Sequence, residues 1–174
     1  MKTRLTRVAA SIVLLFSIVV TSCMNDSEDF PDFNEQLQKD LKTIDDYLAA
    51  NNIDADQDVD GHIRYVIHRT GPATRKPTLD SCATVNYRGR FLSTGAEFDK
   101  GTNFAFPLNG VINGWKIGIP LLDVGDSVTF YIPSGLAYGY YGYPPEIPSN
   151  ANLIFNVGLK DIGRTYKSSG GGSC

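Results

Sequence analysis

Histidine, cysteine and tryptophan are scarce in this chain of 174 residues, which holds two, three and one of them. His62 and His68 stand six positions apart on one face of a single alternating stretch. With no cysteine beside them and no third ligand, they make no zinc set. A Ser-His-Asp or Cys-His constellation has no other histidine to draw on, which argues against hydrolase chemistry. No apolar run approaches the ~18 residues or more of an ordinary membrane-spanning helix. The chain also lacks a dense basic stripe or basic motif, and so is not expected to bind nucleic acid. Gly139-Tyr140-Tyr141-Gly142 has no lysine after it and opens no helix, so it is no phosphate cradle. Nothing calls for a metal or a cofactor, and none is expected.

What is present suffices for one folded domain with appendages. Hydrophobic residues make up 42% and aromatics 11%, enough for a sizeable core. The net charge of −3 hides an asymmetry. Residues 24–60 hold twelve acidic and two basic side chains, whereas 61–174 hold seven acidic and eleven basic. Such a split predicts an acidic spacer ahead of a mildly basic globular domain.

The N-terminus has the order of an export signal. Lys2, Arg4 and Arg7 precede the thirteen uncharged, mostly apolar residues Val8–Val20, a length that suits a signal peptide over residues 1–22. Val20-Thr21-Ser22-Cys23 resembles the lipobox of bacterial lipoproteins. That resemblance implies acylation of Cys23 on sulfur and then on its amine. Each buried methylene adds about 0.8 kcal/mol of membrane affinity, so several chains anchor firmly. The expected location is a bacterial membrane, the outer one, facing the periplasm or the exterior.

Residues 23–60 are expected to be an acidic tether carrying one amphipathic helix. Met24–Pro31 is polar and ends in proline. Phe33, Leu37, Leu41, Ile44 and Leu48 then recur at helical spacing, with Asp32 as N-cap and Asn51-Asn52 as stop. This stripe must be covered, and packing on the neighbouring domain is the favoured cover, with dimerisation through residues 33–50 the alternative. The aspartates of Ile53–Gly61 lack the spacing of a calcium loop and are read as linker.

From residue 61 the period changes to that of strands. Alternation runs through Ile63, Tyr65 and Ile67; Val85, Tyr87 and Phe91; Phe104–Leu108; Val128, Phe130 and Ile132; and Leu153, Phe155, Val157 and Leu159. Val111, Ile112, Trp115 and Ile119 fit one short amphipathic helix ending near Pro120. About five antiparallel strands and one helix make residues 61–163 an α+β domain. Residues 164–174 form a Ser/Gly tail taken as flexible. Cys82 is read as a small, partly buried residue and Cys174 as the end of that tail, although an exported compartment permits a disulfide.

Six short motifs follow one another in this domain. They are Val85-Asn86-Tyr87-Arg88-Gly89, Glu97-Phe98-Asp99, Phe104-Ala105-Phe106, Val111-Ile112-Asn113-Gly114-Trp115, Leu136-Ala137-Tyr138-Gly139, and Ile147-Pro148 leading to Phe155. Their order and spacing resemble the FKBP family of peptidyl-prolyl isomerases over residues 61–162. The resemblance implies an FKBP-like antiparallel half-barrel sheet wrapped over one short helix. It implies Trp115 as floor of a proline pocket, with Val111 and Ile112 beside it. Tyr87, Phe98, Phe104 and Phe155 would be walls, Tyr138 a hydrogen-bond donor to substrate, and Asp99 the charge at the rim. Tyr143 and Ile147 would lie on the flap.

This chain departs from the family in places. The loop from Asp99 to Phe104 is short and lacks an arginine to pair with the aspartate, which leaves Tyr87 or a backbone group to orient Asp99. Tyr143 replaces a common histidine, and Glu146 a common apolar residue. The resemblance further implies cis-trans isomerisation of Xaa-Pro bonds in unfolded or exported polypeptides, with a macrolide as an implied ligand. The alternative is a membrane-anchored chaperone or peptide-binding module of the same fold with little isomerase activity. Some exported FKBP relatives dimerise through N-terminal helices, which is the basis of the dimer alternative above.

Overall fold

The structure, a computed structural model, describes residues 32–72, 74–163 and Cys174. The expected signal peptide, the lipidation site Cys23, the tether up to residue 31 and tail residues 164–173 lie outside the described residues. Helix α1 (Phe33–Ala50) comes first, then strands β1 (Asp56–Gln57), β2 (Arg64–Arg69), β3 (Cys82–Phe91) and β4 (Glu97–Pro107). Helix α2 (Asn113–Gly118) and a 3-10 turn (Ile119–Leu121) precede β5 (Ser127–Ile132). A 3-10 turn at Leu108–Gly110 follows β4, and another (Ser134–Leu136) and β6 (Leu153–Ile162) complete the order.

The six strands form one sheet in the order β1-β2-β5-β6-β3-β4, with every pairing antiparallel. Strand alternation sorts the side chains onto two faces. Phe130 and Ile132 of β5 and Leu153, Phe155 and Val157 of β6 turn inward to a core that includes Trp115 and Ile119. Two glycines let α2 lie close on this face. A Cβ at Gly118 would meet the Phe130 ring at 2.6 Å, and one at Gly114 would meet Ile132 at 2.5 Å.

The other face carries α1. Asp32 caps the helix, its side chain accepting from Asn34 N at 3.0 Å, which satisfies one of the free donors of the first turn. Ile44 and Leu48 pack with Tyr131, Ile154 and Leu92. Arg64 of β2 adds a two-toothed contact, donating from Nε and Nη2 to the Asp45 carboxylate at 2.8 and 3.0 Å. Leu37, Leu41, Ile44 and Leu48 of the apolar stripe are thus buried against the chain's own fold, while Phe33 remains 52% exposed. A homodimer through the same stripe would have to displace this packing. None of the helices among the described residues is long and apolar enough to cross a membrane.

Several details differ from the sequence expectation. The linker contains β1, whose two residues pair with Arg64 and Tyr65. Strand β4 begins at Glu97 rather than near Phe104, because the stretch 97–101 pairs with β3 despite lacking apolar alternation. Val111 and Ile112 stand just before α2, with Ile112 O accepting from Trp115 N and Lys116 N at 3.0 and 3.2 Å. Ile67 is 40% exposed rather than on the core face, at the open end of β2. Cys82 is joined to Cys174 by a disulfide with Cα atoms 5.6 Å apart. The end of β6 stands beside the start of β3, where Gly163 N donates to Cys82 O at 2.8 Å.

Candidate active site

A cavity of about 330 Å³ opens on the inner side of the sheet, between β3, β4, β6 and the segment leading into α2. Its lining is Tyr87, Asp99, Phe104, Gly110, Val111, Ile112, Trp115, Tyr138 and Phe155. Trp115, on the first turn of α2, is 5% exposed and forms the floor. Its ring lies 5.3 Å from Tyr87, 5.2 Å from Phe155 and 5.3 Å from Phe106, centroid to centroid. The Tyr87 and Phe155 contacts are edge-to-face, the geometry that ring quadrupoles favour. Trp115 Nε1 is buried without an acceptor among the described residues, a cost that folded proteins carry in few places.

Local backbone features aim these rings. Between the Val85–Phe104 and Tyr87–Gly101 pairs the register of β3 and β4 shifts, which places extra residues on β4. Asn103 there adopts φ +51°, and its N–H donates to Asn86 Oδ1 at 2.8 Å. Gly101 opposite Tyr87 leaves room for the phenol ring, since a Cβ there would collide with Tyr87 Cε1. Gly89 plays the same part for the wall: a Cβ would stand 2.6 Å from Phe98 Cζ and 2.9 Å from Phe155 Cε1.

Polar groups are few and sit at the rim. Tyr87 OH donates to Asp99 Oδ2 at 2.8 Å, and Lys100 N donates to Asp99 Oδ1 at 2.8 Å. Asp99 therefore has both a tyrosine and a backbone partner in place of a cation. Burial, then the bond to Asp99 and its charge, push the Tyr87 phenol up to about 12. The Tyr138 phenol is also raised, by burial first and then by the charge of Asp99 and by Tyr143. Both hydroxyls remain protonated near neutrality; that of Tyr87 is committed to Asp99. Next to the rim, Glu97 pairs with Lys100 and Arg88 at 2.9 Å each. The bond from Lys100 is the main reason the Glu97 carboxyl lies below its usual range.

Eight of the eleven residues expected at the site from sequence line this cavity, and three do not. Phe98 stands one layer out, stacked on Phe91 at 5.0 Å and Phe155 at 5.6 Å, so it supports the wall. Tyr143 is 60% exposed with its ring 6.0 Å from Tyr138. Ile147 is buried, and its backbone exchanges two 2.8 Å hydrogen bonds with Tyr143. Gly110 was not expected from sequence; it carries no side chain whose chemistry would have pointed to it.

The family model described as FKBP-type peptidyl-prolyl cis-trans isomerase matches residues 73–160. The chain is 43% identical over 105 residues to a probable FKBP-type peptidyl-prolyl cis-trans isomerase FkpA of Neisseria meningitidis, covering 58% of this chain and 38% of that protein. It is 34% identical over 110 residues to FK506-binding protein 1 of Kluyveromyces lactis, covering 60% of this chain and 96% of that one. Among solved structures, a peptidyl-prolyl cis-trans isomerase from Pseudomonas syringae superposes with a TM-score of 0.63 at 27% identity, covering 73% of this chain and 96% of that chain. The chain spans less than half the length of the FkpA proteins it matches, 38% and 46% of the two compared.

Proposed function

The chain belongs to the FKBP-type peptidyl-prolyl cis-trans isomerase family, and from that premise we propose that it isomerises Xaa-Pro bonds in the cavity floored by Trp115. An Xaa-Pro bond turns over in tens to hundreds of seconds unaided, because amide resonance sets a barrier of about 18–20 kcal/mol. In the twisted transition state that resonance is lost, and the carbonyl oxygen carries less charge. A dry cavity therefore disfavours the planar, polar ground state more than the twisted one. Each ~1.36 kcal/mol of that difference is tenfold in rate.

Each lining group has a part in this reading. Trp115, Tyr87, Phe104, Phe155, Val111 and Ile112 hold the pyrrolidine ring and exclude water. Tyr138 donates to a carbonyl of the bound peptide and fixes its direction. Asp99, held by Tyr87 OH and Lys100 N, keeps a carboxylate at the rim, where it repels the oxygen of a planar amide most. Tyr143 and Ile147 do not line the cavity and belong to the flap beside Tyr138. A macrolide would occupy the same cavity. The single observation that carries the proposal is the convergence of Trp115, Tyr87, Phe155, Tyr138 and Asp99 on one cavity.

A protease-coupled assay on an Ala-Leu-Pro-Phe-type peptide tests it. The folded chain should accelerate cis-to-trans conversion, and a macrolide should suppress the acceleration. A preparation with native circular dichroism and no acceleration would overturn the proposal.

By the same inference the clients are proline-containing exported polypeptides, and the enzyme assists their folding from a lipid anchor on Cys23 at the outer membrane. Support comes from the order of basic residues, apolar run, small residues and cysteine at the N-terminus. Fatty-acid labelling that disappears in Cys23→Ala is the expected result; equal labelling would remove the anchor. One observation favours a chaperone role as a second reading. Tyr140, Tyr141 and Tyr143 are 50%, 73% and 60% exposed on the loop after Tyr138, a surface suited to unfolded chains. Suppressed aggregation of a proline-free client would support that role.

A further inference from the structure

Asp40 is an acidic residue on the wrong face of its helix. It lies three residues after Leu37 and four before Ile44, within the apolar stripe of α1, and is 3% exposed. Burying a carboxylate to glue a helix in place is uneconomical, since an apolar residue of similar volume does as well or better. A buried carboxylate with fixed donors does supply direction. Here all the donors are neutral: Gln36 Nε2 at 2.7 Å, Ser134 N at 2.9 Å and Ser134 Oγ at 2.6 Å.

Ser134 is fully buried and opens the turn that leads to Tyr138. Its N–H is shared between Asp40 Oδ2 and Asn152 Oδ1, both at 2.9 Å. Its carbonyl accepts from Ala137 N at 2.9 Å and Gly139 N at 2.8 Å, the amides of the residues on either side of Tyr138. Gly139 O in turn accepts from Asn150 N at 2.9 Å, which ties in the returning loop. The backbone around Tyr138 is therefore tied to Ser134, with the Tyr138 carbonyl itself accepting from Gly142 N at 3.2 Å, and Ser134 is held by Asp40 of α1 together with Asn152. Asp40 lies outside the stretch that the family model matches.

We propose that Asp40 is a positioning residue: acting through Ser134, it holds Tyr138 at the cleft, so that α1 is part of the working isomerase and no mere spacer. The proposal deepens the isomerase reading and rests on it for its kinetic consequence. Removing the Asp40 acceptor lets Tyr138 leave its productive place while Trp115 and the walls, carried by α2 and the sheet, stay put.

A double-mutant cycle in the full chain tests this, with Asp40→Leu, Tyr138→Phe and the pair. Each single variant is expected to lose about tenfold in kcat/KM, the worth of one well-placed hydrogen bond. The pair is expected to lose no more than either alone, because both remove one function. Asp40→Asn, which keeps an oxygen facing Ser134, should recover most of the turnover. Additive losses, or full turnover in Asp40→Leu, would overturn the proposal. Should Asp40→Leu fail to fold, Ser134→Ala, which removes the hydroxyl bond and keeps the backbone one, runs the same cycle with a smaller single loss expected, and additive losses again overturn the proposal.

The Ala137 and Gly139 amide resonances, measured without substrate, separate this claim from the isomerase reading. They should move in Asp40→Leu and stay near wild type in Asp40→Asn, even if no variant and no wild type turns over a proline peptide. Unmoved amides would sink the positioning claim on their own, and absent wild-type turnover would sink only the isomerase reading.

Discussion

The Tyr87 hydroxyl donates to Asp99 Oδ2 at 2.8 Å within the short in-register stretch of β3 and β4 that lies between two register shifts at the rim of the cleft. A neutral phenol here does the orienting that a cation would otherwise do. It fixes the carboxylate without cancelling its charge. The second oxygen is held by the backbone N–H of Lys100, so both oxygens of Asp99 are fixed at the edge of the cavity it lines.

Tyr87→Phe removes one of these two bonds while keeping the ring that packs on Trp115. Peptide or macrolide affinity is expected to fall about tenfold, the worth of a hydrogen bond to a charged group. The melting temperature should change little, because Asp99 is exposed at the rim. Calorimetric titration at neutral pH checks it, and unchanged affinity would show that the phenol does not orient Asp99.

The raised phenols set a pH signature. Tyr87 is pushed from 10.0 up to about 12, first by burial and then by Asp99. In that window the folded chain keeps a proton that the unfolded chain has released. Its contribution to stability is complete below pH 10 and lost as pH rises toward 12. Tyr138, Tyr65 and Tyr131 are raised as well, with burial the largest cause, and act with the same sign. Denaturant midpoints should fall across that alkaline range. Turnover per folded molecule should stay flat between about pH 6 and about pH 9, where unperturbed phenols are also protonated.

Gly89→Ala tests the wall. The added Cβ would press on Phe98 and Phe155 at 2.6 and 2.9 Å. Overpacking of this kind costs about 1–3 kcal/mol. The displaced Phe155 edge should also weaken peptide binding severalfold. Urea midpoints and binding isotherms measured together check both effects; a variant with wild-type affinity would place the working wall elsewhere.

The disulfide from Cys82 to Cys174 spans 92 positions of sequence. Constraining the unfolded chain over a loop of that length stabilises the native state by about 2–4 kcal/mol in most proteins. Cys174→Ser, or reduction, should therefore lower the urea midpoint by the corresponding amount. Two accessible thiols at these positions in the oxidised native protein would contradict the bond.

Much of this architecture is legible in the residues themselves. Phe130 and Ile132, or Leu153, Phe155 and Val157, alternate because one face of each strand meets the core, and the period of a strand shows that directly. The helix from Phe33 is readable at both ends because Asp32 and Asn51 have the side chains that caps require. The start of β4 is hidden because Glu97, Asp99, Lys100 and Thr102 are held by backbone pairing and rim contacts, which leave no apolar rhythm. The two residues of β1 are too few to show any period. The partner of Cys82 is hidden for another reason: a Ser/Gly-rich sequence carries no apolar or periodic signal of where its terminal cysteine lies. The family resemblance makes Phe98 a wall, yet it stands behind Phe155. A strand position gives the face of a side chain and leaves open how deep it lies. The role of Asp40 is not legible in the sequence, because its partner Ser134 lies 94 positions away.

Exchange spectroscopy by NMR on an Ala-Leu-Pro-Phe-type peptide, with the full chain added in catalytic amounts, bears most directly on the central claim. Cis and trans peptide signals should interconvert on the subsecond timescale, and the indole resonance of Trp115, the one tryptophan in the chain, should shift as peptide is added. Unaided exchange rates together with an unmoved Trp115 signal would contradict the account.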